Sequence, residues 1–286
     1  MRDRLRLAVP NKGRLVEPTM QLLKDAGLVF EEHDRSLVAH VQNYNLDVLF
    51  VRTNDVIEFV GDDVADLGVT GDDLLAEIGA QLPRLRPLGY GRCRLAAAVP
   101  NDSPHRAIED LANLRVATAH PNITRRFFED RQIPIGVIAI SGAVEVAPRL
   151  GLAEAIVDLV SSGSTLVMNG LRPIADVLES EAILVASPTA QRERPNELGA
   201  VASMLDAVIA ARRRKYLMMN VPAGRLTELE ALLPGLESPS IIPLARDGMV
   251  ALHAVVEADD VWGLLPRLKA AGASGILVLP IEKIIP

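Results

Sequence analysis

The sequence predicts an α/β protein that ends in a ferredoxin-like β-α-β-β-α-β domain. Short apolar runs alternate with amphipathic segments over most of the 286 residues, which is typical of strands and helices in mainly parallel sheets. Glycine, proline and asparagine separate these segments and act as turn residues. After residue 213 the order of elements changes, and two strand–helix units enclose a pair of strands within about 70 residues.

The first 90 residues predict a regular alternation of strands and helices. Apolar runs that end at polar or turn residues predict strands at Leu5–Val9, Leu46–Val51 and Leu67–Val69. Amphipathic stretches with polar residues or proline at the start and mostly glycine at the end predict helices at Glu17–Ala26, Asn54–Val60 and Asp72–Ile78.

The same alternation continues through the middle of the chain. Apolar runs predict strands at Arg94–Val99, Arg115–Thr118, Gly136–Ile140, Ala155–Val160 and Ala182–Ala186. Helical periodicity predicts helices at Pro121–Arg131, Val144–Leu150 and Glu197–Arg214. The basic residues at the end of the last helix complement the negative end of its dipole.

The last part of the chain predicts a separate small domain. Its strands are expected at Tyr216–Val221, Ile241–Leu244, Val250–Val256 and Ile276–Leu279. Its helices are expected at Arg225–Leu233 and Asp260–Ala271. This order is that of a ferredoxin-like unit, and the fold alone does not determine a function.

Composition excludes several classes of function. A net charge of -7 and only 3% aromatic residues argue against nucleic acid as the main partner. The single cysteine, Cys93, excludes an internal disulfide and fits a reducing compartment. No apolar stretch has the length of a membrane span, and no signal-peptide pattern is visible, so we expect a cytoplasmic protein without membrane association.

Common catalytic motifs are absent from the sequence. The five histidines are scattered without the spacing of metal ligands, and one cysteine cannot complete a zinc site. There is no G-x-S-x-G elbow and no P-loop. The Gly-Tyr-Gly of Gly89–Gly91 lacks the third glycine of a dinucleotide motif and predicts a turn. Serine hydrolases, zinc enzymes, P-loop ATPases and dinucleotide enzymes are therefore disfavoured.

The segment Glu154–Leu166 carries the strongest functional signal. An apolar strand with Asp158 leads into a loop of hydroxyl residues around a glycine, namely Ser161, Ser162, Gly163, Ser164 and Thr165. Backbone N–H groups and hydroxyls in such a loop suit a phosphate group. The alternative is a serine-rich turn in which Ser or Thr caps a helix, and the residues alone leave both interpretations open.

This segment resembles the phosphoribosyl pyrophosphate loop of the ATP phosphoribosyltransferase family, long form. Type I phosphoribosyltransferases have two adjacent acidic residues before the loop, whereas Asp158 stands between two apolar residues. Further segments resemble the same family in order along the chain: Ala8–Leu15, Val51–Asp55, Asp66–Asp73, Ser141–Pro148, Tyr216–Pro222 and Pro234–Ser240. Each similarity is weak alone, and together they are specific.

The resemblance implies a two-lobed catalytic region of periplasmic-binding-protein type with mainly parallel sheets. Lobe I is expected to comprise residues 1–93 with 181–212, lobe II residues 94–180, and a regulatory domain residues 213–286. Two other functions are compatible with parts of the pattern. A solute-binding protein shares the two-lobed architecture but would need a signal peptide. A regulatory subunit without catalysis would have no need for the complete loop.

The resemblance also implies a reaction. The 5-phosphoribosyl group of phosphoribosyl pyrophosphate is transferred to N1 of ATP, which gives N1-(5-phosphoribosyl)-ATP and pyrophosphate as the first step of histidine biosynthesis. No covalent nucleophile is required, because positioning and charge stabilisation lower the barrier. Mg²⁺ is the implied cofactor, held by Asp158 and Glu145 through water or substrate.

The resemblance gives roles to residues that the pattern leaves ambiguous. Asp158, Glu145 and Arg52 are implied as catalytic, although Arg52 could instead pair with Asp55 at the end of its strand. Substrate contacts are implied for the hydroxyl loop and for Lys12, Arg14 and Asp72. From the residues alone, Lys12 is equally well a solvated loop residue. Asp72 and Glu145 are equally well acids favoured in the first turn of a helix.

Regulation and assembly are implied in the same way. The C-terminal domain is expected to bind histidine as a feedback inhibitor through Asn220, Leu236, Ser240 and Gly275. Short forms end near residue 210 and depend on a partner subunit, whereas this chain continues further. We therefore expect no separate regulatory subunit, and a homo-oligomer that assembles from dimers to hexamers.

Overall fold

The computed structural model describes residues 3–31, 36–161, 163–233 and 238–285. The chain forms two compact units. One unit consists of Met1–Gln21 with Leu28–Ala202, and the other of Leu22–Gly27 with Ser203–Pro286. The domain limits expected from the sequence remain a prediction.

The chain up to residue 212 alternates strands and helices, as predicted. Its strands are β1 (Leu5–Pro10), β2 (Val38–His40), β3 (Leu46–Val51), β4 (Leu67–Gly71), β5 (Arg84–Pro87), β6 (Cys93–Pro100), β7 (Arg115–Thr118), β8 (Gly136–Ala139), β9 (Ala155–Val160), β10 (Leu171–Ser180) and β11 (Ala182–Ala186). Its helices are α1 (Val16–Asp25), α2 (Asp55–Gly61), α3 (Asp72–Ile78), α4 (Pro121–Glu129), α5 (Ser164–Met168), α6 (Pro188–Glu193) and α7 (Pro195–Arg212).

Two sheets organise the first unit. The six-stranded sheet has the order β2-β3-β1-β4-β11-β5, and we call it, with helices α2 and α3, lobe I. The five-stranded sheet has the order β10-β6-β9-β7-β8, and we call it, with helices α4 and α5, lobe II. The α/β fold class with two lobes is confirmed.

Both sheets are mixed rather than mainly parallel. In lobe I, β1 pairs in parallel with β3 and β4, whereas β11 is antiparallel to β4 and to β5. In lobe II, β7 pairs in parallel with β8 and β9, whereas β6 is antiparallel to β9 and to β10. Most of the antiparallel pairings involve the strands through which the chain passes from one lobe to the other.

The chain crosses between the lobes twice, and the two crossings are hydrogen-bonded together. Residues 88–92 join β5 to β6, and Glu181 alone joins β10 to β11. The N–H of Leu88 donates to the carbonyl of Ala182 (2.8 Å), and the N–H of Ala182 donates to the carbonyl of Tyr90 (2.9 Å). Gly89 and Gly91 have φ of 74° and 65°, which are readily adopted by glycine. The predicted glycine turn is thus part of the interlobe connection.

Several segments of the first unit differ from the prediction, and β2, β5 and α6 are among the elements that were not predicted. Strand β10 was not predicted, because Pro173 and two register shifts break its alternation of apolar and polar residues. As an edge strand it tolerates proline. The helix predicted at Val144–Leu150 is wrong beyond its first turn. Only a 3₁₀ helix at Val144–Val146 forms, since Pro148 offers no N–H to continue it.

The second unit contains the predicted β-α-β-β-α-β order. Its strands are β12 (Arg214–Pro222), β13 (Ser240–Pro243), β14 (Met249–Glu257) and β15 (Ser274–Pro280), and its helices are α8 (Leu226–Glu230) and α9 (Val261–Ala270). The sheet order is β13-β14-β12-β15 and all pairings are antiparallel. Alternate residues such as Leu217, Met219 and Leu252 form its buried core against the two helices. The ferredoxin-like prediction is confirmed.

Candidate active site

The loops that follow β1 and β3 lie side by side, because these strands are parallel neighbours. The hydroxyl of Thr53 donates to the carbonyl oxygen of Lys12 (3.2 Å) and ties the two loops together. The Lys12 side chain is exposed. Both loops therefore present basic residues at the carboxyl ends of the strands, where ligands bind in open α/β sheets.

Arg52 is exposed at the end of β3, and only its backbone is used by the fold. Its carbonyl accepts hydrogen bonds from the N–H groups of Asp55 and Val56 as α2 begins. Among the described residues its guanidinium has no ion-pair partner, and the alternative pairing with Asp55 does not form. The arginine is thus available to an anion.

Arg14 points into a network around the buried carboxylate of Asp73. Its Nη2 donates to the Sγ of Cys93 (2.9 Å) and lies 3.8 Å from Asp73 Oδ2. The hydroxyl of Ser180 donates to Asp73 Oδ1 (2.7 Å) and accepts from the backbone N–H of Asp73 (2.9 Å). The network also includes His120, whose Nε2 lies 3.9 Å from Asp73 Oδ2. Lobe I supplies Arg14 and Asp73, and lobe II supplies the other side chains.

The sequence analysis predicted a substrate contact for Asp72, and the structure shows that the next residue, Asp73, is the buried one. Asp72 begins α3 and pairs with Nε of Arg84 (2.7 Å), whereas Asp73 is only 2% exposed. Asp73, Cys93, Ser180 and His120 were not selected as site residues. One available signal was Gly71, where an added Cβ would lie 2.3 Å from Asp73 Oδ1. A glycine is needed there for the carboxylate to approach the backbone.

A polar cavity of about 620 Å³ opens beside this network. Both lobes and the crossing segments line it, through Asp72, Arg92, Cys93, Arg94, Val160, Ser161, Glu179, Ser180 and Glu181. It therefore brings the predicted residues Asp72 and Ser161 to one space. Its size and polar walls suit a phosphorylated small molecule.

Asp158 and Glu145 form an acidic pair in lobe II. Asp158 is half-buried near the end of β9 and accepts a hydrogen bond from the N–H of Leu159 (2.8 Å). Burial raises the pKa of Asp158, and the negative charge of Glu145 raises it further. The backbone hydrogen bond and His120 act in the opposite direction and do not outweigh this rise. Among the described residues, no lysine or arginine forms an ion pair with either carboxylate.

A strained residue precedes Glu145. Ala143 has φ 49° and ψ 42°, a left-handed conformation that costs an alanine on the order of 1 kcal/mol. The 3₁₀ helix that follows carries Glu145, and its buried Val144 packs in the lobe II core. Glu145 therefore lies on a single 3₁₀ turn rather than on the predicted helix, and its charge acts on Asp158.

The hydroxyl-rich loop follows β9 directly. Gly163 has φ 79° and immediately precedes the short helix α5, whose first residues Ser164 and Thr165 are exposed, as is Ser161. The positive φ explains why the loop needs glycine at this position. Ser162 lies outside the described residues.

The predicted histidine-binding residues are only partly brought together. Asn220 on β12 and Gly275 on β15 adjoin, and a Cβ at Gly275 would lie 3.1 Å from Asn220 Nδ2. Ser240 lies on β13, which β14 separates from β12, and it faces His253. Leu236 lies outside the described residues.

Metal and membrane features are limited in the described part of the chain. No group of three or more His, Cys, Asp or Glu side chains is arranged there to hold a metal ion by itself. In the same residues no helix combines the length and the apolar character needed to cross a bilayer.

Comparison with known proteins identifies the family. Residues 52–207 match the family model described as ATP phosphoribosyltransferase, and residues 211–283 match the model described as HisG, C-terminal domain. An ATP phosphoribosyltransferase of Gemmatimonas aurantiaca is 47% identical over 292 residues, which cover 99% of this chain and 100% of that protein. One of Methanococcoides burtonii is 44% identical over 285 residues, with coverages of 99% and 100%.

A solved structure extends the similarity to three dimensions. The ATP phosphoribosyl transferase (HisG:HisZ) complex from Thermotoga maritima contains a chain that is 30% identical, with a TM-score of 0.63. The similarity covers 72% of this chain and 98% of that one. Two family models in sequence, relatives matched over their full length, and the cleft built from two α/β lobes agree: this chain belongs to the ATP phosphoribosyltransferase family.

Proposed function

We propose that this protein transfers the 5-phosphoribosyl group from phosphoribosyl pyrophosphate to N1 of ATP, the first step of histidine biosynthesis. The products are N1-(5-phosphoribosyl)-ATP and pyrophosphate. The observation that carries the proposal is the acidic pair of Glu145 and Asp158, of which Asp158 lies near the end of the strand that leads into the hydroxyl-rich loop. The membership of the chain in the family supports the same reaction.

The loop of Ser161–Thr165 binds the 5-phosphate in this proposal. Its exposed hydroxyls and the backbone around Gly163 donate hydrogen bonds to phosphate oxygens. Lys12, Arg14 and Arg52 bind the pyrophosphate and the triphosphate of ATP, since Lys12 and Arg52 are exposed at neighbouring strand ends and Arg14 reaches the network around Asp73. Asp72 contacts ATP from the wall of the cavity.

The chemistry needs no covalent intermediate on the protein. N1 of adenine attacks the anomeric carbon of the ribose, the bond to pyrophosphate breaks, and the electron pair leaves with the pyrophosphate. Positive charge develops on the ribose, and the carboxylates of Asp158 and Glu145 stabilise it and accept hydrogen bonds from the ribose hydroxyls. The basic residues stabilise the negative charge on the leaving group.

The acidic pair also fits a Mg²⁺ ion. Burial and the charge of Glu145 raise the pKa of Asp158, so a divalent cation would relieve both unfavourable effects. Two carboxylates are too few to complete the coordination of Mg²⁺, so substrate oxygens and water supply the other ligands. When bound, the ion neutralises charge on the pyrophosphate.

The C-terminal domain is proposed to bind histidine as a feedback inhibitor, near Asn220, Ser240 and Gly275. We further propose that the protein works as a homo-oligomer of dimers or hexamers in the cytoplasm, without a separate regulatory subunit. The match of residues 211–283 to the C-terminal family model supports a built-in regulatory domain. Sedimentation of the purified chain alone, with and without histidine, tests the assembly.

A direct assay tests the catalytic proposal. Purified protein is mixed with ATP, phosphoribosyl pyrophosphate and Mg²⁺, with pyrophosphatase present to remove a product, and the absorbance of N1-modified adenine is followed. Formation of the product that histidine suppresses is the expected result. If the folded protein forms no product, the proposed enzymatic activity is contradicted, and a binding protein or a regulatory subunit is favoured instead.

A point variant tests the histidine site separately. Gly275 has φ 56°, and its missing Cβ leaves room for the amide of Asn220. Gly275→Ala should displace Asn220, weaken inhibition by histidine about tenfold or more, and leave turnover without histidine unchanged. Gly248→Ala is the matched control, since that glycine also has positive φ (75°) but faces open space. Equal inhibition of both variants would place the effector site elsewhere.

A further inference from the structure

Helix α3 packs against both lobes of the first unit. Its Leu75 belongs to the core of lobe I together with Ala8 and Val56. The next residue, Ala76, packs against the core of lobe II, which includes Phe127. Consecutive residues of one short helix therefore contact two different cores, and the position of α3 determines how the lobes meet.

The carboxylate of Glu77, at the end of α3, caps helix α4 of the other lobe. The backbone N–H of Asn122 donates to Glu77 Oε1 and that of Ile123 donates to Oε2, each at 2.9 Å. Because Pro121 has no N–H, these are the free donors of the first turn of α4. The side chain of His120, at the N-cap position, does not accept them. Lobe I thus supplies the cap that α4 lacks.

Further hydrogen bonds strengthen this contact. The side-chain amide of Asn122 donates to the carbonyl of Glu77 (3.1 Å), and the guanidinium of Arg126 donates to the carbonyl of Ala76. At the other end of α3, Asp73 meets Ser180 and the ring of His120. Helix α3 is therefore held by lobe II at both ends.

We propose that Glu77 is a positioning residue that latches lobe I to lobe II, so that the cleft is assembled before the substrates bind. This inference rests on the proposed function. Residues Asp72 and Asp73 begin the helix that Glu77 ends, so the latch fixes them against the lobe II side of the cleft. Without it, the lobes spend time apart, and the apparent affinity for substrates falls by the fraction of assembled molecules.

Steady-state kinetics distinguish this role from a purely structural one. Glu77→Ala should raise KM for both substrates about 3–10-fold and keep kcat within about twofold, because bound substrates reassemble the cleft. Glu77→Gln keeps one carbonyl acceptor, so its KM values should lie between those of Glu77→Ala and those of the wild type. A structural defect would instead reduce kcat through the loss of folded protein and leave KM unchanged. That result would overturn the proposal.

A suitable control is Glu129→Gln, at the opposite end of α4. Glu129 is exposed, and within the described residues its side chain makes no hydrogen bond or ion pair. Its replacement changes the charge of the protein by the same amount as Glu77→Gln. We expect wild-type KM and kcat.

Hydrogen exchange measures the latch without substrates. The amides of Asn122 and Ile123 should exchange at least about fivefold faster in Glu77→Ala than in the wild type, while those of β9 keep their rate. Unchanged exchange at these two amides would show that α4 is capped in another way and would refute the latch. If the wild type formed no product, the proposed function would fail, and the exchange result would still decide whether the latch exists.

Discussion

Strand β9 has an acidic residue near each end, and the surroundings of the two residues shift their pKa values in opposite directions. Glu154 precedes the strand and accepts hydrogen bonds from Nη2 (2.6 Å) and the backbone N–H (2.9 Å) of Arg115. These bonds lower the pKa of Glu154 to about 2. At the other end, burial raises the pKa of Asp158, and Glu145 adds to the rise. Within the described ranges, a guanidinium pairs with Glu154 and none pairs with Asp158.

The difference is the one expected between a structural acid and a ligand-binding acid, and it supports the role proposed for Asp158. A carboxylate that receives a guanidinium stabilises the fold. A carboxylate that is partly buried beside a second one is destabilising until a cation or hydroxyl groups approach it. Asp73 is closer to the first kind, although it lies in the cleft, because Ser180 donates to it and the guanidinium of Arg14 lies 3.8 Å away. We therefore expect Asp73 to position other groups.

The largest expected effect is that of Asp158→Asn. Turnover should fall about 100-fold or more, because the variant removes the charge that we propose to stabilise the transition state. The melting temperature should stay equal or rise, since the amide is easier to bury than the carboxylate. The pyrophosphatase-coupled assay and thermal unfolding measure the two quantities. Unchanged turnover would exclude Asp158 from the site, and a clear loss of stability would remove the contrast with Glu154.

A smaller effect is expected from Gly71→Ala. This substitution disturbs the contacts of the Asp73 carboxylate. The added Cβ would lie 2.3 Å from Oδ1 and must displace it from Ser180 and Arg14. The free energy of unfolding should fall by about 1–3 kcal/mol, and kcat/KM should fall with it. Urea unfolding and the same assay test this.

The control is Gly61→Ala at the end of α2, where an added Cβ meets open space. It should leave stability and kcat/KM close to wild type. Equal behaviour of the two variants would mean that the close approach at Gly71 has no consequence.

The smallest effect is expected from Glu154→Gln. The pKa of Glu154 in the folded protein, about 2, lies below its ordinary value of 4.5. Its contribution to stability is therefore present above pH 4.5 and is lost as the pH falls through about 2. The variant should melt within about 2 °C of the wild type at pH 7, because the pair is partly exposed. The difference should disappear towards pH 2, and a difference that grows at low pH would contradict this assignment.

Much of the fold could be predicted because its strands are short apolar runs with clear ends. Strands β3, β7, β9 and β11 and helix α3 have the predicted limits. Strand β10 could not be predicted, since its pairing with β6 includes two register shifts that no local pattern reveals. The short edge strands β2 and β5 are partly exposed and lack apolar runs.

The candidate site could be predicted only where residues follow an apolar strand. Lys12 and Arg52 follow such strands and Asp158 lies near the end of one, and their roles remain predictions. The proximity of His120 and Ser180 to Asp73 could not be predicted, because each contacts Asp73 from a distant part of the chain. Glu77 reads as an ordinary helix residue in the sequence, since its partners are backbone groups of another helix.

The order of strands in lobe I has a consequence for how the protein is made. Strand β11 lies between β4 and β5, and its residues Ala182–Ala186 are buried. During synthesis on the ribosome, β5 therefore has no neighbour in its sheet until the chain has passed residue 186, when all of lobe II has already been translated. Lobe I is therefore the first lobe to be started during synthesis and the last to be completed. We expect the long-range pairing of β11 with β4 and β5 to be the slow step of folding.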